Sequence, residues 1–413
     1  MRIALLTLGT RGDVQPYAVL GRALKDKGHD VSLSTGGNFK SLANAYNLRF
    51  IPVEADFQAL ITSPEGKAMM KNPFIARKHI RTIVQPMMVK ALKTFYQVAS
   101  DVDCVLYHVK SLGDFFADQF PEKMIRANVV PAVRPTSAFP NPVFSGLSLP
   151  NFLNRFTYKI ADLGLAMMKP AIRDFRMSAG LDPKVPAQTN SLELYGISES
   201  FLKKPMDFPD KVSFTGFWYG ESPEQLDDDI INFISSGRKT VVVTFGSMPF
   251  QVNFDLQQGL NKISEELNIN VLVVKGWGFE DVSVSETNSF KVIAGAPFDK
   301  LFPKVDAVVH HGGIGTLSLC LRAGAPSLSC PVIYPMGDQH FWGSHAYKIS
   351  CAVKPIPLKK LDLQGLRNSI SEMLTNESLR NNCKDMAKKL ASENGLENAV
   401  NTIEARFNPP LST

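Results

Sequence analysis

Two separate stretches of this sequence alternate short apolar, β-prone runs with helical patterns, and this alternation limits the fold more than any other feature. The predicted strands are 2–8, 30–34 and 48–53 near the start of the chain, and 240–245, 271–275, 291–294 and 307–310 further on. Alternating strands and helices imply parallel strands joined by helical crossovers. Each stretch therefore predicts its own doubly wound, Rossmann-like sheet.

The length and composition agree with two such units. A chain of 413 residues and 45.5 kDa suggests two or three domains at about 150 residues each. The hydrophobic fraction of 44% and charged fraction of 20% are close to globular averages and argue against disorder or a coiled coil. No apolar run approaches the ~18 residues that a membrane span needs. The apolar opening lacks a small-residue cleavage site, so it predicts a strand rather than a signal peptide.

The net charge and the cysteines limit the binding partners and the cellular compartment that the sequence suggests. A formal charge of +6 permits contact with an anionic ligand or membrane surface and does not require nucleic acid. The five cysteines are odd in number and lack Cys-x-x-Cys spacing. This pattern predicts buried free thiols in a reducing, cytoplasmic compartment rather than disulfides or zinc ligands.

A glycine-rich turn follows the predicted strand 307–310. The run His310-His311-Gly312-Gly313-Ile314-Gly315-Thr316 leads into a helical pattern. Glycines let the backbone approach a ligand closely, and the start of a helix presents free N–H groups to an anion. The turn therefore suits a phosphate, although a tight strand–helix turn could need glycine for its geometry alone.

A carboxylate and an amide follow the next apolar run, at Asp338 and Gln339. Open α/β sheets bind ligands at the carboxyl ends of their strands. A carboxylate beside an amide can form paired hydrogen bonds with vicinal sugar hydroxyls. Asp338 could equally be the N-cap residue of the following helix.

The order of these motifs resembles the donor-binding signature of the GT-B, family 1 glycosyltransferases. That signature here comprises Gly295-Ala296-Pro297, the turn 310–316 and Gly337-Asp338-Gln339. The run 337–343 looks most like the sterol glucosyltransferase branch and its bacterial relatives that glycosylate aglycones, and 9–16 and 214–218 fit the same branch. The resemblance covers both ends of the chain and is weak between about 56 and 200.

The resemblance implies a set of donor-binding residues. They are Ser247, Ala296, His311, Gly313, Gly315, Thr316, Asp338 and Gln339. Among these, His311 would contact the diphosphate together with Ser247 and the backbone of the glycine turn. Asp338 and Gln339 would hold the sugar, and Ala296 would offer backbone atoms to the nucleobase. Plant members have a Trp where this chain has Gly295, so base stacking and the choice between UDP and dTDP stay open.

The first loop offers a candidate catalytic base. Inverting sugar transfer needs a base near the acceptor hydroxyl, and Asp13 follows the first strand. An apolar acceptor pocket would raise the pKa of Asp13 by desolvation and suit it to this role. Alternatively, Asp13 is a turn residue beside Arg11 or a helix N-cap.

Many family members have a His at this position, held by an Asp that follows a later strand. Here the later strand, 104–108, ends in His108 without an Asp. We therefore expect Asp13 to act without a carboxylate partner. His108 lines the acceptor pocket in one interpretation and is an ordinary strand-end residue in the other.

Residues 67–95 interleave basic side chains with Met, Phe and Ile. Such side chains, including Phe74 and Met87, could form a wall for a bulky apolar acceptor. The basic residues would then suit a peripheral contact with an anionic bilayer. A pair of amphipathic helices packed on the sheet explains the same pattern.

Several rival interpretations are weaker. The loop 9–12 lacks the full Gly-x-Gly-x-x-Gly pattern of nicotinamide enzymes, and the second strand ends without an acidic residue for a ribose. The runs 101–103 and 227–229 imitate Asp-x-Asp metal motifs, but we expect both on a solvated surface. We expect no metal or other cofactor, because a helix dipole and a His can stabilise a departing diphosphate. A sugar epimerase on the same fold remains an alternative.

Together these observations predict an α/β, GT-B architecture with two Rossmann-like domains whose parallel sheets face each other across a cleft. The predicted parts are an acceptor domain at 1–218, a linker at 219–238, a donor domain at 239–395, and a helix and tail at 396–413 that return to the first domain. The expected function is inverting transfer of a hexose, glucose from UDP-glucose, to a hydroxyl of a lipophilic acceptor such as a sterol.

Two alternatives to this function stay open. One is transfer from a UDP- or dTDP-sugar to a polyketide, macrolide or other natural-product aglycone. The other is a non-catalytic partner protein that keeps the nucleotide-sugar fold. The sequence identifies neither the acceptor nor the oligomeric state.

Overall fold

The computed structural model of the chain describes residues 1–55, 59–60, 63–71, 73–147, 149–184, 191–246, 252–275 and 287–407. Within these ranges the strands form two sheets, and all neighbouring strands run parallel. The fold class predicted from the alternating pattern is therefore confirmed.

The first sheet has seven strands in the order β3-β2-β1-β4-β5-β6-β7. Its strands are β1 (Arg2–Leu6), β2 (Asp30–Gly36), β3 (Arg49–Val53), β4 (Cys104–Tyr107), β5 (Met124–Asn128), β6 (Glu193–Tyr195) and β7 (Val212–Phe214). The central strands β1 and β4 are almost continuously apolar and buried. This is the composition expected of parallel strands covered on both faces.

The second sheet has five strands in the order β10-β9-β8-β11-β12. Its strands are β8 (Thr240–Thr244), β9 (Asn270–Val274), β10 (Phe290–Ile293), β11 (Ala307–His310) and β12 (Ser327–Ser329). The strands predicted in this half lie within one residue of these bounds. Their apolar runs are short and flanked by polar residues, which makes their ends easy to locate.

The helices connect the strands. They are α1 (Arg11–Asp26), α2 (Lys40–Ala45), α3 (Pro64–Lys71), α4 (Pro73–His79), α5 (Gln85–Ser100), α6 (Asn154–Ala166), α7 (Lys169–Ser178), α8 (Asp228–Ile234), α9 (Leu256–Glu266), α10 (Phe298–Leu301), α11 (Ile314–Ala323), α12 (Gln339–Lys348), α13 (Leu363–Thr375), α14 (Glu377–Ala391) and α15 (Gly395–Phe407). A π-helical turn, Ile80–Val84, joins α4 to α5.

The first helix begins earlier than the sequence predicts. Asp13 was expected in a loop, but α1 starts at Arg11 and places Asp13 in its first turn. Thr10 is the N-cap residue and forms a capping box with Asp13. This reciprocal pairing satisfies backbone N–H groups that a helix start otherwise leaves open, so the helix extends toward the strand.

The predicted linker 219–238 is not a simple solvated connection. It contains α8, and Leu226 and Ile230 are buried in the apolar cluster on one side of the second sheet. In the acidic run 227–229, Asp227 is the N-cap residue of α8 and Asp229 forms an ion pair with Lys291. Acidic residues stabilise a helix start, which explains why the acidic run begins a helix here.

The helix α15 packs against α1 in the first half of the molecule. Asn398 Nδ2 donates a hydrogen bond to the Thr215 carbonyl oxygen over 3.0 Å, and His29 Nε2 lies 2.9 Å from Glu404 Oε1. Gly395 lies against the backbone at Gly216 so closely that a Cβ at either position would overlap the other segment. The helix α15 is therefore physically part of the N-terminal half.

The cysteines agree with the prediction, since all five are buried free thiols. No helix within the described ranges is both long enough and apolar enough to cross a bilayer.

Candidate active site

The side chains of interest lie where the carboxyl ends of strands from both sheets meet. In the first sheet, β1 and β4 pair in parallel, with Leu6 opposite Tyr107. The start of α1 follows β1, and His108 follows β4 directly. Because parallel strands end at the same edge, Asp13 and His108 become neighbours although they are far apart in sequence.

Asp13 makes an ion pair that the sequence did not predict. Lys110 Nζ lies 2.7 Å from Asp13 Oδ1 and 2.8 Å from Oδ2. The Thr10 backbone N–H and hydroxyl also donate to Asp13 Oδ2, over 2.9 and 3.2 Å. The side chain of Asp13 is 13% exposed and that of Lys110 is 55% exposed. Asp13 therefore lies in a polar, cationic setting at the edge of the cleft.

The electrostatics of Asp13 differ from the expectation. Burial raises the pKa of Asp13, but the positive charge of Lys110, the nearby His108 and hydrogen bonds from Lys110 and Thr10 outweigh it. The net result is a pKa below the ordinary value, so the prediction of a raised pKa is wrong. The sequence-based expectation did not include Lys110, whose charge lowers the pKa of Asp13. The carboxylate is consequently ionised at neutral pH and able to accept a proton.

His108 is almost fully buried behind this pair. Burial, helped by the charge of Lys110 and opposed by that of Asp13, lowers the pKa of His108 to about 4. Its ring meets Tyr17 edge to face at 6.0 Å, and its Nδ1 has no hydrogen-bond partner among the described residues. His108 is therefore neutral and exposes only 4% of its surface. A role in the acceptor pocket stays a prediction.

On the opposite side, the glycine turn joins β11 to α11. Gly312 has a φ of +90°, and its N–H donates to His310 Nδ1 over 3.0 Å. A Cβ at Gly312 would lie 2.9 Å from the Gln339 carbonyl oxygen. At Gly315 a Cβ would meet no atom within 4 Å. Turn geometry thus explains Gly312, whereas the space beside Gly315 is open to a ligand.

The N-terminus of α11 carries no side-chain cap. Gly313 is its N-cap residue and has no side chain with which to cap the helix. Thr316 is partly exposed in the first turn of the helix. Free N–H groups and the positive end of the helix dipole suit an anion at this point.

His311 lies between Gly246 and Gly313. A Cβ at Gly246 would lie 3.1 Å from His311 Cε1, and one at Gly313 would lie 2.5 Å from Nε2. Burial lowers the pKa of His311 to about 4, so the imidazole is neutral. Its Nδ1 is buried without a partner among the described residues. A neutral imidazole can still donate one N–H to a phosphate oxygen.

Asp338 faces the Asp13–Lys110 pair across the cleft. Burial raises the pKa of Asp338, and the charge of Asp13 raises it further, while Lys110 and a hydrogen bond from Trp342 oppose the rise. Trp342 Nε1 donates to Asp338 Oδ2 over 3.0 Å. Asp338 is the N-cap residue of α12, as the alternative proposed, but its side chain makes no capping hydrogen bond.

The side-chain oxygen of Gln339 is occupied by hydrogen bonds within the protein. Gln339 Oε1 accepts hydrogen bonds from the backbone N–H groups of Val332 and Ile333, over 2.8 and 3.2 Å. Only its amide NH₂ group is left to contact a sugar. The contact of Asp338 and Gln339 with a sugar stays a prediction, in which Gln339 would take part through its NH₂ group.

Backbone contacts join the segment around Asp338 to the other half of the molecule. The Gly337 N–H donates to the Val143 carbonyl oxygen over 2.8 Å, and the Tyr334 hydroxyl donates to the Gly146 carbonyl oxygen over 3.2 Å. His340 Nδ1 lies 3.1 Å from the Ser145 carbonyl oxygen. These contacts could not be predicted, because all three acceptors are backbone carbonyl groups, which carry no sequence signature.

The remaining predicted residues are less informative. Ser247 and the side chain of Phe74 lie outside the described residues. Met87 is partly buried against the core of the first half, and Ala296 against that of the second. Gly295 is exposed, and a Cβ there would meet no atom within 4 Å. The described residues contain no cluster of three or more His, Cys, Asp or Glu side chains that could hold a metal ion.

Two Rossmann-like sheets whose strand ends bring a glycine turn and acidic residues together across a cleft define the GT-B class of fold. Comparison with known families supports the same class. Residues 3–108 match the glycosyltransferase family 28 N-terminal domain. Residues 279–405 match the erythromycin biosynthesis protein CIII-like C-terminal domain. The resemblance to GT-B glycosyltransferases that the motifs predicted is therefore confirmed.

Curated relatives extend the similarity over the whole chain. A sterol 3-beta-glucosyltransferase of Pichia angusta is 28% identical over 422 residues, which is 97% of this chain and 33% of that protein. Sterol 3-beta-glucosyltransferase UGT80B1 of Arabidopsis thaliana is 28% identical over 436 residues, 100% of this chain and 69% of that protein. The chain thus spans only a third of the first relative.

Solved structures show the same fold at low identity. The glycotransferase of kitacinnamycin superposes with a TM-score of 0.73 at 14% identity, covering 98% of both chains. Glycosyltransferase VinC in complex with DTDP superposes with a TM-score of 0.68 at 15% identity, covering 99% of this chain and 100% of that one.

Proposed function

We propose that this protein is an inverting glycosyltransferase that moves a hexose, glucose from UDP-glucose, to a hydroxyl of a lipophilic acceptor such as a sterol. The observation that carries the proposal is the ion pair of Asp13 and Lys110, which faces Asp338 across the cleft. The names of the curated relatives favour glucose and a sterol.

The proposed chemistry assigns each side of the cleft a task. The start of α11 and the N–H of His311 would bind the diphosphate, and Asp338 with the Gln339 amide would hold the sugar. The acceptor oxygen would form a bond to the anomeric carbon as the bond from that carbon to the diphosphate oxygen breaks. Asp13 would take the hydroxyl proton, since Lys110 keeps it ionised between turnovers.

We propose that the departing diphosphate is stabilised without a metal ion or other cofactor. The N-terminus of α11 and a neutral, donating His311 provide hydrogen bonds where negative charge increases. Activity that persists after chelation with EDTA would support this part, and activity restored only by Mg²⁺ or Mn²⁺ would contradict it.

The same proposal places the protein in the cytoplasm, with a peripheral membrane contact at residues 67–95. The buried free cysteines support a reducing compartment. Arg77, Lys78, Arg81 and Lys93 are exposed on the helices of this region. Lys90 is also exposed and forms an ion pair with Glu54 over 2.8 Å.

A second candidate is transfer to a natural-product aglycone from a UDP- or dTDP-sugar. The match of the C-terminal domain to an erythromycin biosynthesis domain favours it. The open space at Gly295 would leave the nucleobase unstacked on that side and reduce discrimination between uracil and thymine.

Initial rates with UDP-glucose, dTDP-glucose, a sterol and a polyketide aglycone would test both candidates. The proposal expects product only when UDP-glucose and the sterol are combined, and loss of that product in Asp13→Asn. Faster transfer to the aglycone would favour the second candidate. Nucleotide-sugar binding without transfer to either acceptor would favour a non-catalytic partner protein.

A further inference from the structure

The helix α6 buries polar side chains and exposes large apolar ones, unlike an ordinary surface helix. Its inward face carries Asn154, Thr157 and Tyr158, all buried. Asn154 Nδ2 donates to the Ser137 carbonyl oxygen over 2.9 Å, and the Asn141 N–H donates to Thr157 Oγ1 over 2.7 Å. The helix is therefore attached to the protein largely by hydrogen bonds.

Several large apolar side chains of this segment are exposed to solvent. Its large exposed side chains, here called the α6 face, are Phe152 (83% exposed), Phe156 (54%), Leu163 (69%), Leu165 (37%) and Met167 (39%). Phe152, Phe156 and Leu163 are spaced by four and seven residues, which aligns them along one side of a helix. A contiguous apolar patch on a protein surface marks an interaction site.

Basic side chains surround the α6 face. Arg155, Lys159, Lys169 and Arg173 are exposed in the same segment, against the exposed acids Asp162 and Asp174. Gln85 Nε2 donates to the Met167 carbonyl oxygen over 2.7 Å, which joins the end of α6 to the start of α5. The neighbouring residues 73–81 add exposed Arg77, Lys78 and Arg81 and contain no acidic residue.

We infer that the α6 face docks on a lipid bilayer with anionic headgroups, with its Phe and Leu side chains in the interface and the surrounding Arg and Lys at the phosphates. Apolar residues flanked by cations are the composition of interfacial helices. A second copy of this chain is a poorer occupant, because a two-fold contact would place like charges opposite one another.

The α6 face lies in a part of the chain that is connected to the cleft. The α6 face begins a short stretch of chain after the segment 143–146, in which the carbonyl groups of Val143 and Gly146 accept hydrogen bonds from Gly337 and Tyr334 across the cleft. Docking would therefore hold the mouth of the cleft at the bilayer, where a lipophilic acceptor resides. This use rests on the proposed function, but the docking itself does not.

Sedimentation of the full chain with sterol-free vesicles tests the docking separately from transfer. The vesicles are phosphatidylcholine alone and phosphatidylcholine mixed with phosphatidylserine. We expect binding to the mixed vesicles that weakens with salt. The variant Phe152→Ser/Phe156→Ser/Leu163→Ser should lose at least about tenfold in partitioning, since three large apolar side chains no longer enter the interface.

Two further variants separate the apolar contribution of the α6 face from exposed apolar residues elsewhere and from the neighbouring basic residues. Ile231→Ser/Tyr347→Ser changes exposed apolar residues of the donor half (37% and 48% exposed) and should bind vesicles like the wild type. Arg77→Gln/Lys78→Gln/Arg81→Gln should lose binding mainly to the anionic vesicles. Thermal denaturation checks that each variant is folded, and transfer to a cyclodextrin-dispersed sterol should be unchanged in the triple Ser variant.

Equal vesicle binding by the wild type and the triple Ser variant would overturn the inference, as would no binding by the wild type. A concentration-dependent dimer that the triple Ser variant loses, measured by light scattering, would instead identify the α6 face as an interface between copies. If transfer fails but vesicle binding follows the expected pattern, the proposed function is wrong and the docking stands.

Discussion

The substitution Asp13→Asn tests the proposed base directly. General base catalysis contributes about 100- to 10,000-fold, which corresponds to about 3–5 kcal/mol of activation free energy. The kcat for sugar transfer should fall by that factor, because an amide keeps the shape of the side chain but cannot take the hydroxyl proton. Initial rates of glycoside formation, followed by mass spectrometry, provide the measurement.

The structure limits how much of such a loss could come from damage to the fold. Asparagine still has an oxygen to accept the Thr10 N–H hydrogen bond. The variant loses a charge near the start of α1, worth about 0.3–1 kcal/mol, and an ion pair with the half-exposed Lys110, worth about 0–1 kcal/mol. A destabilisation of about 0.3–2 kcal/mol leaves the protein folded, so thermal denaturation can separate the two effects.

A companion variant uses the lowered pKa of Asp13. Lys110→Met removes the charge that offsets the burial of Asp13, so the pKa of this carboxyl should rise. The acid limb of kcat/KM against pH, which reports the free enzyme, should move to higher pH. Lys110→Arg keeps the charge and is the control, with an acid limb at the wild-type position. A near-normal kcat in folded Asp13→Asn, or an unmoved acid limb in Lys110→Met, would refute this account of the base.

Three further outcomes follow from the donor side and from the buried histidines. Gly315→Ala should raise helix stability by up to about 1 kcal/mol, because its Cβ meets open space, and yet weaken UDP binding in calorimetry; unchanged UDP affinity would mean that the donor does not approach there. His311→Ala should weaken UDP binding about 10- to 100-fold, since a hydrogen bond to a charged group contributes about 1.5–3 kcal/mol, and unchanged donor affinity would remove His311 from the site. Burial lowers the pKa of His108 to about 4 from an ordinary 6.5, so the unfolded chain binds more protons between these values. The stability from keeping His108 neutral is therefore complete above pH 6.5 and should fall by about 2 kcal/mol at pH 5; equal pH dependence of urea unfolding in His108→Gln would contradict this.

Much of the fold could be predicted from the sequence because each parallel strand is a short apolar run. The strand Ala307–His310 was predicted with its observed bounds, and the glycine turn after it could be located from the same pattern. Gly312 has a positive φ, so backbone geometry explains this glycine without a ligand.

The electrostatics of the site could not be predicted in the same way. Lys110 is 97 residues from Asp13 in sequence, and only the parallel pairing of β1 with β4 brings the two together. Without Lys110, burial alone suggested a raised pKa for Asp13, and the sign was wrong. The bonds of Gln339 Oε1 to the backbone were equally hidden, because the 331–337 segment has no regular pattern.

The middle of the chain was the least predictable part. In α6 the polar Asn154 and Thr157 are buried while large apolar side chains are exposed, so the apolar spacing alone would have indicated the wrong side as core-facing. Exposure of Phe152 and Leu163 is visible only once the tertiary structure is known.

The return of α15 to α1 has a consequence for the order in which the protein is made. The ribosome releases residues 395–407 only after the whole second sheet and its helices have been made. In the folded protein, however, Ala399, Val400 and Ile403 are buried in the apolar cluster that includes α1. Until then, the corresponding apolar surface of the nascent N-terminal half is uncovered. Synthesis of residues 1–218 alone should therefore yield an aggregation-prone product, which a separately added peptide of residues 395–407 would make more soluble.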